Sequence, residues 1–293
     1  MNSPDKSTTA SLEFTGERYI PEESGDIALE HLHRYALAQR LAKGKRVRDL
    51  ACGEGYGSNL LADTAISVTG VDVSHQAVAH ATVRYAKPNL CFIASSAAAL
   101  PMADGTFDIV VSFETIEHLH QQQEMLDEIC RVLAPEGTLL ISSPNKLNYS
   151  DIPGYDNPYH VKELYRAEFE ALLKLKFRNV AVWGQRIVYG SLIAADIEAE
   201  PAAVERSQAI GLLKPRYDLA VASNGPLVAL STTFYEADLI QSDLMVQLLE
   251  RIKGLEAELE KTFASRSWKI TIPLRFCLES FQKLKILSQR GRR

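Results

Sequence analysis

The chain has 293 residues, of which 46% are hydrophobic and 24% charged, with a formal net charge of −5, the make-up of one large globular domain plus an appendage rather than a disordered chain. No run of about 18 apolar residues predicts a membrane-spanning helix, and the polar stretch 1–11 lacks the apolar centre of a signal peptide. Charge is uneven: eight basic residues and one acid follow from Arg266 on, against 24 basic and 36 acidic before it, so the body is a poor match for a nucleic-acid backbone.

In chain order, the periodicity predicts a first helix over 27–42, with Asp26 as its cap. Strand patterns then fall at 46–52, 67–73, 90–94, 107–112, 138–142 and 179–183. Helical patterns alternate with them at 57–63, 75–86, 121–133 and 162–175. Such alternation predicts a doubly wound, mostly parallel sheet. A β-branched run over 227–234 is the expected seventh strand, which leaves 187–226 as a long insertion of the kind that forms lids or packs on an edge. The cysteines Cys52, Cys91, Cys130 and Cys277 are scattered. The first three lie in apolar patterns and read as reduced core residues, which fits a cytoplasmic protein.

The richest segment is Val47-Arg-Asp-Leu-Ala-Cys-Gly-Glu-Gly-Tyr-Gly-Ser. Gly53, Gly55 and Gly57 let the backbone turn sharply and approach a ligand, and the following helix start offers free N–H groups to it. Asp72, at the tip of the next strand, suits a ribose diol. Asp49, within the first strand, is placed to fix the loop and to reach the amino group of an amino-acid-like ligand. The loop is G-x-G-x-G rather than the dinucleotide G-x-G-x-x-G.

With these residues, and with Leu100-Pro-Met-Ala-Asp-Gly-Thr-Phe-Asp-Ile-Val-Val behind them, residues 45–186 resemble the class I S-adenosylmethionine-dependent methyltransferases. The resemblance implies their seven-stranded Rossmann-like fold and S-adenosyl-L-methionine as cofactor. It departs at Ala51, where the family often has glycine, and at Ser96, where an Asp often holds the adenine amino group. Tyr19, with Arg18, is expected to fold over the cofactor and Arg34 to clamp its carboxylate. Val73, Ala97 and Glu114 complete the implied cofactor contacts.

Methyl transfer to an alcohol needs the acceptor's proton removed, and histidine is suited to this near neutral pH. Strand four ends in Ser112-Phe-Glu-Thr-Ile-Glu-His, which carries Glu117 and His118 to the ligand-binding end of the sheet. His160 follows in the loop after strand five. Either histidine can serve as the base, with a carboxylate orienting it, and either can instead be structural. No metal is expected, since there is no H-E-x-x-H and no clustered Cys/His set.

From 236 the pattern changes. Met245, Leu248, Ile252, Leu255 and Leu259 take a and d positions of a short heptad run, read either as a coiled coil giving a homo-oligomer through 236–264 or as one amphipathic helix. The basic tail 265–293, with Trp268 and Phe281 among its charges, suits an anionic membrane surface or a partner groove. The expected domains are thus 1–235, 236–264 and 265–293.

A second resemblance narrows the acceptor. Gly16-Glu-Arg-Tyr-Ile-Pro, Glu30-His-Leu-His-Arg-Tyr and Tyr155-Asp-Asn-Pro-Tyr-His-Val-Lys-Glu-Leu-Tyr look like the methyltransferase part of bacterial O-antigen chain-capping enzymes. It implies a glycan or lipid-linked oligosaccharide acceptor, a glycosyltransferase partner and a peripheral place at the inner face of the plasma membrane. Kinase signatures found in such enzymes are absent here, so the expected acceptor is a sugar hydroxyl. A quinone or nucleotide-sugar methyltransferase and a non-catalytic recruiting scaffold are the rival readings.

Overall fold

The computed structural model describes residues 19–188, 214–236 and 242–271. The segment 14–18, the remaining tail from 272 and most of the expected insertion lie outside these residues. The chain divides into two compact units, Met1–Ala237 and Asp238–Arg293.

The first unit opens with α1 (Asp26–Ala42) and β1 (Arg46–Leu50), then α2 (Tyr56–Leu61), β2 (Ser67–Asp72), α3 (His75–Arg84), β3 (Leu90–Ala94) and β4 (Phe107–Ser112). After them come α4 (Gln122–Val132), β5 (Leu133–Pro144), α5 (Arg166–Lys174), β6 (Asn179–Gln185) and β7 (Tyr217–Ser223). The seven strands form one sheet in the order β3-β2-β1-β4-β5-β7-β6. All pairs are parallel except those of β7, which runs antiparallel to both β5 and β6. The doubly wound, mostly parallel sheet is therefore as the alternation requires.

Period-two alternation splits each central strand between two cores. Val110 of β4 joins Leu50, Met125, Leu126, Ile129 and Phe169 on one face. Its neighbours Ile109 and Val111 join Tyr35, Ala38, Leu61 and Val68 on the other. Helices thus cover both faces, and the strand order reverses between β1 and β4, which opens a crevice at their carboxyl ends.

Three expectations are corrected. The seventh strand is Tyr217–Ser223, not 227–234, and so lies inside the expected insertion. All seven of its residues are buried between β5 and β6, and a strand covered on both faces shows no polar alternation to reveal it. The 227–234 run is irregular and half exposed, with Val228 at 42% and Phe234 at 58%. The residue before α1 is Gly25, with a φ of 92°, and Asp26 is the first helical residue rather than the cap. Finally, Cys52 is buried but Cys91 is exposed, on β3 at the sheet edge.

In the second unit, α6 (Asp243–Ala264) is capped by Ser242, whose side chain accepts from the Met245 amide. Its 22 residues include none that are buried. Leu248, Ile252, Leu255 and Leu259 are each about half exposed. A short α7 (Arg266–Ile270) follows, capped by Ser265. No helix among the described residues is long and apolar enough to cross a membrane.

Candidate active site

Two clusters face the crevice. The first surrounds the loop between β1 and α2. The turn needs left-handed backbone at Ala51 (φ 58°), Gly53 (φ 55°) and Gly55 (φ 96°), so Ala51 carries strain a glycine would not. Gly55 and Gly57 serve packing: a Cβ on Gly55 would stand 2.7 Å from Ala81 Cβ, and one on Gly57 2.0 Å from the Tyr35 ring. Glu54 of the same loop is buried, accepts from Tyr85 Oη at 2.7 Å, and lies 3.0 Å from His80 Nε2 and 3.3 Å from Arg84 Nε, pinning the loop to α3.

Asp49 is fully buried and accepts from Ser58 Oγ at 2.6 Å and Tyr35 Oη at 3.1 Å. It ties β1 to α2 and α1, which is the loop-fixing half of its expected role. Burial pushes its pKa up from 3.8 to about 7, against the lowering effect of its Ser58 and Tyr35 hydrogen bonds. Asp72 accepts from the Gly53 amide at 2.8 Å and the Ser74 amide at 2.9 Å. Beside it Val73 is 74% exposed. Ser96 is exposed after β3, its Oγ accepting from the Ala98 amide at 3.2 Å, and Ala97 packs against the core edge.

Tyr19 is buried in an aromatic group, stacked on His31 (5.2 Å) and edge-on to Tyr56 (4.9 Å), the first residue of α2. Arg34, the expected clamp, lies beneath the crevice, its Nε without a hydrogen-bond partner among the described residues. It is 2% exposed, donates to Gln185 Oε1 at 3.0 Å, pairs with Glu114 at 3.4 Å and lies over the Tyr217 ring. Glu114 also accepts from Ser142 Oγ at 2.5 Å, and its φ of 50° is strained for a residue with a side chain. Arg34 and Glu114 therefore brace the floor between the two clusters.

The second cluster lies at the ends of β4 and β5. A single 3-10 turn, Ile116–His118, follows β4, and a single π turn, Leu147–Asp151, follows β5. They bring His118 and His160 together, ring centroids 5.0 Å apart and edge-on. His118 Nδ1 donates to the Tyr159 carbonyl at 2.9 Å. A carbonyl only accepts, so Nε2 carries the lone pair of the neutral ring. His160 Nδ1 meets Glu163 Oε1 at 2.5 Å, and its Nε2 meets Asn157 Nδ2 at 3.0 Å. The Asn157 amide is oriented by the Tyr159 amide, which donates to Asn157 Oδ1 at 3.1 Å. His160 therefore donates through Nδ1 and accepts through Nε2. Glu117 is fully buried, and neither carboxylate oxygen has a hydrogen-bond partner. Burial, and the Glu114 carboxylate beside it, hold the Glu117 pKa well above the usual range.

Alongside His160 opens a cleft of about 390 Å³ lined by Lys146, Ser150, Asp151, Tyr155, Asp156 and Asn157, with Glu163 on its wall. The π turn supplies one side of it.

The sequence profile of the family described as "Methyltransferase domain" matches residues 48–141. A protein of Mycolicibacterium smegmatis described as a "Probable S-adenosylmethionine-dependent methyltransferase" is 41% identical over 180 residues, covering 59% of this chain and 68% of the relative. The chain belongs to the S-adenosylmethionine-dependent methyltransferases. A demethylmenaquinone methyltransferase of Beutenbergia cavernae is 36% identical over 118 residues, 40% of this chain and 48% of that one. In fold, the chain is similar to a crystal structure of an S-adenosylmethionine-dependent methyltransferase from Thermotoga maritima, with a TM-score of 0.51, 18% identity, and coverage of 67% of this chain and 90% of that one.

The methyltransferase is thus an enzyme rather than a scaffold, and its first cluster fits the cofactor. A carboxylate oxygen accepts more than one hydrogen bond, so a ribose diol can join the Gly53 and Ser74 amides at Asp72. Val73, exposed directly beside the buried Asp72, would offer an apolar shelf to an adenine. S-adenosylmethionine, once bound, supplies an electrophilic methyl group on a sulfonium.

Reading the methyltransferase from sequence missed Glu163, Asn157 and Glu54. The i,i+3 spacing of His160 and Glu163 before α5 was the available signal for the first. Glu54 sits inside the glycine motif itself, where the glycines drew the attention.

Proposed function

We propose that this methyltransferase transfers a methyl group to a sugar hydroxyl of a bacterial surface polysaccharide, at the non-reducing end of an O-antigen-like chain. The observation that carries this is the character of the cleft beside His160. Lys146, Ser150, Asp151, Asp156 and Asn157 supply hydrogen-bonding groups of both kinds, and Tyr155, 49% exposed, supplies a flat apolar face. A polyhydroxylated ring with one apolar side matches that lining. An isoprenoid quinone would find few apolar partners there.

In this reading, α2 and the loop before it hold the donor, while the cleft holds the acceptor in line with it, largely a proximity effect. One of the two imidazoles receives the hydroxyl proton; where it is His160, Glu163 orients the ring and stabilises its protonated form. Lipid-linked oligosaccharide is the form in which such an acceptor is presented. The basic tail from 265 would hold the enzyme at the inner face of the plasma membrane beside a glycosyltransferase, and the apolar row on α6 would pair two copies.

The second reading, a small quinone acceptor, has the demethylmenaquinone methyltransferase relative in its favour. Incubation with methyl-labelled S-adenosylmethionine decides between them. Label entering an unmethylated oligosaccharide of the source organism's surface glycan, and not demethylmenaquinol, is the expected result. Label entering the quinol alone overturns the proposal.

A further inference from the structure

We propose that Glu117, His118 and His160 hold a divalent transition-metal ion at the mouth of the acceptor cleft. One ligand atom from each of the three lies within 4.8 Å of the other two. Atoms bound to one ion at about 2.1 Å in a tetrahedral site stand roughly 3.4 Å apart, so the cluster needs to close by up to about 1.4 Å.

Three features make this a built site rather than a chance meeting of polar groups. Glu117 is 0% exposed and neither of its oxygens has a partner, and a buried carboxylate without a partner is costly unless a cation accompanies it. The His118 ring is already oriented: Nδ1 is spent on the Tyr159 carbonyl, and Nε2 lies 3.9 Å from Glu117 Oε1. His160 has a carboxylate at Nδ1, which is the arrangement that orients and strengthens histidine ligands of metals. Its Nε2 becomes a ligand when the Asn157 amide turns away. Ser150 Oγ, donating to Glu163 Oε2 at 2.6 Å, extends this outer layer.

The donor set is two imidazole nitrogens and one carboxylate. It favours Mn²⁺, Fe²⁺, Co²⁺ or Zn²⁺ over Mg²⁺ and Ca²⁺, which prefer oxygen alone. Three protein ligands leave positions open, as in catalytic rather than structural sites. The His118 side chain is 22% exposed against 0% for Glu117, so the open positions face solvent on the His118 side, while His160 lines the cleft. The occupancy of the site stands on geometry; its use in catalysis rests on the glycan acceptor proposed above, and with both Nε2 atoms bound the ion would replace the imidazoles, taking the acceptor hydroxyl as incoming ligand and lowering its pKa so that its proton passes to solvent. The sequence hides such a site because its ligands are 42 residues apart and match no metal motif.

The test is titration of the metal-stripped full chain with MnCl₂, followed by electron paramagnetic resonance. The expected result is one tightly bound Mn²⁺ per chain with nitrogen couplings from two imidazoles. Glu117→Gln and His118→Ala should weaken binding by about 100-fold or more, and Glu163→Gln by about 10- to 100-fold. Melting temperature and S-adenosylhomocysteine binding report whether each variant is folded, and the partly exposed His118 carries the test if Glu117→Gln is not. Absence of nitrogen coupling, or equal affinity in wild type and folded variants, overturns the site. Full-rate glycan methylation in excess chelator overturns its catalytic use while the glycan reading stands. Bound, histidine-coupled Mn²⁺ in a chain that methylates no glycan supports the site and overturns that reading instead.

Discussion

The donor side and the acceptor side of the crevice are built on different plans. On the donor side, Asp49, Ala51, Gly53, Gly55, Gly57 and Asp72 belong to two adjacent strands, one loop and the start of α2, with Asp49 held by Ser58 and Tyr35 and Asp72 by the Gly53 and Ser74 amides. The acceptor side joins His118 to His160 across 42 residues through two single turns, and its buried Glu117 carboxylate has no hydrogen-bond partner among the described residues. The first plan is drawn from residues close together in the sequence. The second concentrates unspent chemistry in loops that can vary, where specificity for one acceptor is expected to reside.

That contrast can be broken from either side. The largest effect is expected from the double variant His118→Ala, His160→Ala. Turnover should fall by about 10²- to 10⁴-fold, while calorimetry shows S-adenosylhomocysteine bound as in the wild type. Lost cofactor binding would show that the two sides are one structural unit.

Gly57→Ala attacks the donor side. Its Cβ would stand 2.0 Å from Tyr35, the residue that holds Asp49, so a stability loss of about 3 kcal/mol is expected in urea unfolding. An unchanged unfolding midpoint would show that the α1–α2 contact gives way easily.

The pH dependence of stability sharpens the role of Asp49, whose folded-state pKa of about 7 is above its ordinary 3.8. Below about pH 4 the group is protonated in both states and costs nothing. As pH rises toward 7 the unfolded chain loses that proton first, so stability falls. Asp49→Asn should flatten this part of the stability profile. The smallest effect is expected of Ala51→Gly, which relieves a left-handed alanine at φ 58° and should raise stability by about 1 kcal/mol, read as a higher melting temperature.

The donor side was legible in the sequence because its chemistry is local. The spacing of three glycines and an acid at the tip of the next strand follows directly from how a strand, a turn and a helix share a backbone. The same locality made β1 to β6 readable from alternation and length. The antiparallel β7 was not readable, since burial on both faces removes the polar half of the pattern, and the more strand-like 227–234 run drew the assignment instead. On the acceptor side the two histidines and Glu117 could be named from their place after β4 and β5. Their partners Glu163 and Asn157 were marked only by a spacing of three residues on either side of His160, in a stretch with no helical pattern to turn that spacing into a contact. Arg34 was named for its charge alone, and its contacts through Nη1 with Gln185 and Glu114 were not legible, since they join α1 to residues 80 and more positions away. The amphipathic row on α6 was legible as a pattern, while the occupant of that face was not.

The central claim is that the donor's ribose is held by Asp72 at the tip of β2. Isothermal titration of S-adenosylhomocysteine into the wild type and a folded Asp72→Ala variant tests it most directly. The account predicts one site per chain in the wild type and at least about 100-fold weaker binding in the variant, the loss of hydrogen bonds to a charged acceptor. Equal affinity in the two proteins would contradict it.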